Sequence, residues 1–146
     1  MKARANHYSM SLRGLLAVLI SIFAMGASAA QYVDAGDYRI HFTTFSSTII
    51  PGQVAAAHNI VRAKNRIVLN ISARKQDKPV AVRIKGQVIN LLNQRFELKF
   101  DEVREAEAIY YLANHLSLEQ DILKFEIEVT LEDDLSVPIR FLRRYD

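Results

Sequence analysis

ILKFEIEVTLE, residues 122–132, alternates without a break. Leu123, Phe125, Ile127, Val129 and Leu131 fall on one side of an extended chain, and Lys124, Glu126, Glu128 and Thr130 on the other. Successive side chains of a strand point to opposite faces, so period two marks a strand with one face in a core and one in water. The same alternation runs through YRIHF (38–42), RIVLNISA (66–73), VAVRIKGQV (80–88), RFELKF (95–100), IYYLA (109–113) and SVPIRFL (136–142). About seven strands, with turn signals roughly every 8–12 residues, are the pattern of an all-β antiparallel sandwich. Between the first two strands, PGQVAAAHN (51–59) suits a short helix, with Pro51 at its first position and Asn59 closing it.

The last two strands fix their own register. Phe125, Ile127, Val129 and Leu131 must share a core with Leu135, Val137, Ile139 and Phe141, and directly paired residues share a face. The connecting loop is therefore odd-numbered; the shortest is Glu132-Asp133-Asp134, with Asp134 in the left-handed conformation that Asp tolerates. That register sets Ile127 opposite Ile139, and Glu126 opposite Arg140 as a solvent-face ion pair. Pro138 has no N–H to give a neighbour, so its nitrogen must face an open edge, where a partner could add a strand.

Residues 1–29 read as a secretory leader. Lys2, Arg4 and Arg13 form a basic start, LLAVLISIFAM (15–25) is an apolar run, and Ala27 and Ala29 occupy the −3 and −1 positions of a cleavage signal. The cut is expected after Ala29, with Ala30/Gln31 as the neighbouring option. The apolar run is shorter than the roughly 20 residues that span a bilayer, which argues against an uncleaved tether. One domain, 30–146, follows, exported to the periplasm.

Cleavage removes the excess charge. The precursor has 19 basic and 16 acidic residues; the leader takes three basic ones, and 19 − 3 = 16. Nucleic-acid binding rests on a surplus of Lys and Arg, which the mature chain lacks overall. Met1, Met10 and Met25 all lie in the leader, and the sequence has no Cys. Thiol redox chemistry and the soft ligands for Cu(I) or iron–sulfur clusters are thereby excluded, as are disulfides. No cofactor is indicated.

The remaining chemistry is sparse. His41, His58 and His115 show neither HxH nor HExxH spacing, so no metal site is expected. The serines of FSSTIIP (45–51) have no nucleophile elbow around them. The acidic pairs Glu105/Glu107, Glu126/Glu128 and Asp133/Asp134 sit in charged surroundings and read as solvated faces and turns, not as carboxyls tuned in an apolar pocket.

GDYRIHFTTFSSTIIP, RIVLNISARK, NLLNQ, EVREAEAIYYLA and LKFEIEV together resemble a secreted family of Gram-negative bacteria, the domain of unknown function 4426 family. The resemblance covers essentially the whole mature chain and implies a periplasmic β-sandwich without implying an activity. EAEAIYYLA (105–113) is also similar to the EDTAVYYCA segment of immunoglobulin variable domains, which implies an immunoglobulin-like sandwich. Carried over, that likeness makes Tyr110 a structural corner anchored by its hydroxyl, and puts Leu112 at the core cysteine position. Two strands follow this segment here where one follows it there, which leaves the strand order open. Tyr111 then falls on the opposite face with Ile109 and Ala113. If that face is outward, Ile109 and Tyr111 form an apolar docking spot.

These readings converge on a small non-enzymatic periplasmic protein that binds an unidentified protein or envelope component. Its candidate contacts are Ile109 and Tyr111 on one face and Pro138 and Arg140 at the edge. The alternative is a periplasmic hydrolase using a His/carboxylate site. An enzyme should show a deep cleft where a histidine meets a carboxylate, and a binding module a shallow face.

Overall fold

The computed structural model describes residues 31–118 and 120–145, so the expected leader, residues 1–29, lies outside the described residues. The described residues form ten strands: β1 (Gln31–Ala35), β2 (Tyr38–Ser46), β3 (Arg66–Lys75), β4 (Lys78–Val80), β5 (Arg83–Ile89), β6 (Arg95–Leu98), β7 (Asp101–Glu105), β8 (Ala108–Leu116), β9 (Asp121–Thr130) and β10 (Ser136–Tyr145). They form two antiparallel sheets. One has the order β1-β2-β3-β8-β7, with β4 also paired to β3; the other runs β10-β9-β5-β6.

The seven expected strands are all there, and β1, β4 and β7 are additions. Each of these is short, and each lacks a long apolar alternation. β7 reads DEVRE, with only Val103 buried, and β4 is three residues around Pro79. One expected strand, VAVRIKGQV, divides, and another, RFELKF, stops at Leu98. The chain leaves the first sheet after Val80 and enters the second at Arg83, and it returns between Leu98 and Asp101. The helix, α1 (Gly52–Ala57), lies between YRIHF and RIVLNISA as expected; with β1 ahead of them, these are β2 and β3. Asn59 just beyond it takes a left-handed φ of 54°, which ends the helix as expected.

Ile40, Leu69 and Ile71 from the first sheet meet Leu123, Phe125, Val129 and Ile139 from the second, all essentially inaccessible to water. Phe141 stacks on Phe125 at 4.8 Å and on Phe42 at 4.9 Å, so three rings bridge the sheets. Each fully buried side chain of this size is worth about 1.5–3 kcal/mol, and with no disulfide the sandwich depends on such burial. On the outer face of the first sheet a smaller cluster seats α1: Val54, Ala55 and Ile60 pack on Val68 with Phe45 and Leu112.

The C-terminal hairpin has the expected register. Ile127 opposes Ile139, Glu126 opposes Arg140 and Pro138 opposes Glu128. Leu131 N–H donates to Leu135 C=O at 2.9 Å around a three-residue loop, and Asp134 is left-handed with φ 61°. Two details differ. Leu135 is 48% exposed and lies outside the core, because the loop closes before the strand turns inward. The Glu126 carboxylate is held by Lys124 (2.6 Å) and Gln87 (2.7 Å), with Arg95 at 3.8 Å, and not by Arg140. Neighbours on three sides offer it nearer donors than its register partner does.

Candidate functional site

β10 is the edge strand of the four-stranded sheet. Since Leu131 N–H points at β10, alternation along the ladder turns the N–H groups of Pro138's neighbours Arg140, Leu142 and Arg144 away from β9, toward the open side. At Pro138 that direction needs no donor, which is why proline fits there. The side chains of Pro138, Arg140, Leu142 and Arg144 are exposed. Pro138 and Arg140 border a shallow hollow of about 450 Å³ on the outer sheet face, with Lys85, Gln87, Glu126 and Glu128. Lys124 and Gln87 hold the Glu126 carboxyl below the usual carboxylate range, and Lys85 does the same for Glu128. The floor is therefore charged at neutral pH.

The two tyrosines exchange the roles that the sequence suggested. Tyr111 is 5% exposed and lies in the core opposite Ile71, while Tyr110 is half-buried on the outer face opposite Val103. The Tyr111 hydroxyl donates to Glu102 Oε2 at 2.9 Å and accepts the Val82 N–H at 2.9 Å. Burial pushes its pKa up. The anchored tyrosine is thus Tyr111. Ile109 shares its face and packs against the core, so Ile109 and Tyr111 form no outward docking spot. Alternation paired these residues correctly; the immunoglobulin-like motif assigned the wrong face. The face is set by β3, whose Leu69 and Ile71 oppose Ala113 and Tyr111 in the core.

One histidine meets a carboxylate. His58 Nε2, at the C-terminal cap of α1, stands 3.6 Å from Glu105 Oε1 at the end of β7. Both side chains are largely buried, so Glu105 is not the solvated carboxylate its sequence neighbours imply. The pair is 47 residues apart in the chain (105 − 58), and no local pattern announces it. Beside His58 lies a hollow of about 220 Å³ bounded by Asn59, Asp101, Glu102 and Asn114, with no Ser or Thr in its lining. His41 and His115 lie elsewhere: His41 tilts against Tyr32 at 5.9 Å on the outer face, and His115 against Phe96 at 4.9 Å between the sheets. Among the described residues, no three His, Cys, Asp or Glu side chains are grouped to hold a metal ion.

A family model described as a domain of unknown function, DUF4426, matches residues 32–145. The chain belongs to the DUF4426 family. The crystal structure of a DUF4426 family protein from Pseudomonas aeruginosa PAO1 has a TM-score of 0.73 at 28% identity, covering 82% of this chain and 96% of that one. FetP of uropathogenic E. coli strain F11, expressed in the periplasm of E. coli, has a TM-score of 0.53 at 11% identity over 80% of this chain and 93% of its own. A copper-bound FetP variant gives 0.52 at 10% identity, over 81% and 90%. At such identities FetP shares the fold, and the likeness does not carry its copper. No curated protein sequence matches the chain.

Proposed function

We propose that this DUF4426 protein is a non-enzymatic periplasmic binding module that takes an extended segment of a protein or envelope component along β10. The observation that supports the reading is the unpaired main-chain side of a ten-residue edge strand. Strand addition draws affinity from such main-chain groups and specificity from alternate side chains, here Arg140, Leu142 and Arg144. Pro138 would limit the register of an added strand, since no bond forms at its nitrogen, and it also discourages indiscriminate edge pairing. A periplasmic location is in keeping with the leader pattern in residues 1–29, and an immunoglobulin-like variation on the sandwich with the two-sheet architecture.

The test is amide hydrogen exchange on the protein captured with its periplasmic partner. Arg140, Leu142 and Arg144 amides should gain protection, and Leu142→Pro should abolish capture at unchanged folding. Capture that survives Leu142→Pro would overturn the edge reading.

The His58–Glu105 contact supports a second reading, a hydrolase in which His58 activates water in the adjoining hollow. His58→Ala and Glu105→Gln should then each abolish hydrolysis of a chromogenic ester panel. A wild-type protein inert across that panel would sink it.

A further inference from the structure

We infer that the end of the sandwich opposite its tight turns is a membrane-contact surface that seats on an anionic lipid bilayer. The two ends differ in chemistry. At one, the turns between strands carry Asp37, Asp77, Glu107, Glu132, Asp133 and Asp134 and no Lys or Arg, with Lys75, Lys78 and Arg83 at the strand ends beside them, so acids outnumber bases there. At the other, three connections meet: residues 47–65, 90–94 and 117–120. Their described residues include Arg62 and Lys64 and no acid; Glu119 belongs to the last of them but lies outside the described residues. Arg66, Arg95 and Arg144 stand at the strand ends around them. A mature chain with balanced charge is thus polarised along its length.

The basic end also carries exposed apolar side chains where turn residues are ordinarily polar. Leu91 (58% exposed) and Leu92 (68%) form the tip of one turn, and Leu116, Leu118, Val61 and Phe96 stand exposed around it. These tips are held rigidly. Asn90 and Gln94 close the leucine turn with side-chain bonds in both directions, at 2.8 and 2.9 Å. Leu91 N–H donates to Oδ1 of Asp121, a carboxylate only 1% exposed, which ties this turn to the start of β9. Ser117 N–H donates to Asn65 C=O at 2.7 Å, joining the other two connections.

Exposed leucines on the same end as Arg and Lys side chains suit a bilayer surface: the leucines enter the acyl boundary, and the cations meet anionic headgroups. The far end, with its acidic turns, offers no matching surface, so a single orientation fits the bilayer. Arg144 alone is common to this end and the β10 edge; the variants below leave it in place, so either reading can fail alone.

The test is co-sedimentation of the chain from Ala30 onward, which contains every described element, with phosphatidylglycerol-containing vesicles and with phosphatidylcholine vesicles. Binding is expected to the anionic vesicles alone and to weaken with salt. Leu91→Ser with Leu92→Ser should abolish it at unchanged thermal stability. Lys64→Gln with Arg95→Gln should weaken it about tenfold or more. Leu135→Ser, at the acidic end, should leave it intact. No sedimentation with anionic vesicles, or binding indifferent to the leucine pair, would overturn the inference. So would a concentration-dependent dimer that Leu91→Ser with Leu92→Ser dissolves, since a second copy would then cover the face.

Discussion

The Tyr111 hydroxyl accepts the Val82 backbone N–H at 2.9 Å, at the point where the chain crosses from β4 in one sheet to β5 in the other. The same hydroxyl donates to Glu102. One side chain thus satisfies a buried donor that neither sheet's ladder can reach. Tyr111→Phe removes the acceptor and strands that donor, which should cost about 1–3 kcal/mol in urea unfolding. Tyr110→Phe, on the half-buried outer face, should cost less. Equal losses, or a larger one at Tyr110, would return the anchoring role to Tyr110.

At Gly86 the β5–β9 pair leaves no room for a side chain. A Cβ there would stand 2.5 Å from Ile127 Cδ1 and 3.1 Å from the Glu126 carbonyl oxygen. Ile127 is buried and has little room to yield. Gly86→Ala should therefore destabilise by about 1–3 kcal/mol through overpacking. Ile127→Val removes the clashing methyl, so its cost should shrink or reverse in the Gly86→Ala background. Additive losses in the double-mutant cycle would show that the backbone oxygen, and not Cδ1, is the obstacle.

The strands that build the core were legible because each needs one continuous apolar face, and period two records that directly. Register at the β9–β10 hairpin was legible too, since only one pairing put Ile127 and Ile139 together beside a loop ending in Asp134. What escaped the sequence depends on partners far along the chain. Which side of β8 is inside follows from its pairing with β3, so IYYLA alone leaves Tyr110 and Tyr111 interchangeable. β4 and β7 are held by long neighbours and need little apolar pattern of their own. The approach of His58 to Glu105 depends on where α1 docks, and the segregation of charge between the two ends emerges only when the strands are stacked.

Stability should fall in two stages as the pH is lowered. Burial, with Arg66 nearby, holds the His115 pKa down against the opposing pull of Asp121; burial, then Arg39 and Arg74, holds His41 down against Asp34. A histidine whose folded pKa is lowered binds fewer protons than it does unfolded. Its contribution is full above the unfolded value of about 6.5 and is lost as pH falls through that value toward the folded one. Thermal midpoints should therefore drop between about pH 7.5 and 5.5, and His115→Gln should flatten part of that slope. Glu102, Asp34, Glu126 and Glu128 have lowered values from their Arg, Lys, Tyr and Gln partners, so their loss follows at more acidic pH. A flat profile above pH 5.5 would show that neither imidazole is linked to folding.

Asp134 combines two effects that substitution can separate. Its φ of 61° strains any residue with a Cβ, and its carboxylate meets Arg83 in a pair exposed on both sides. Exposed pairs of this kind contribute little. Asp134→Gly and Asp134→Ala both remove the pair, so the difference between them isolates the backbone. Glycine takes the left-handed conformation without penalty, whereas alanine lacks even the polar side chain that lets Asp settle there. Asp134→Gly should match or exceed the wild-type midpoint in urea, and Asp134→Ala should fall below Asp134→Gly by about 1 kcal/mol. If the two variants instead lose stability equally, the contact with Arg83 dominates, and the hairpin is held by charge more than by the shape of its loop.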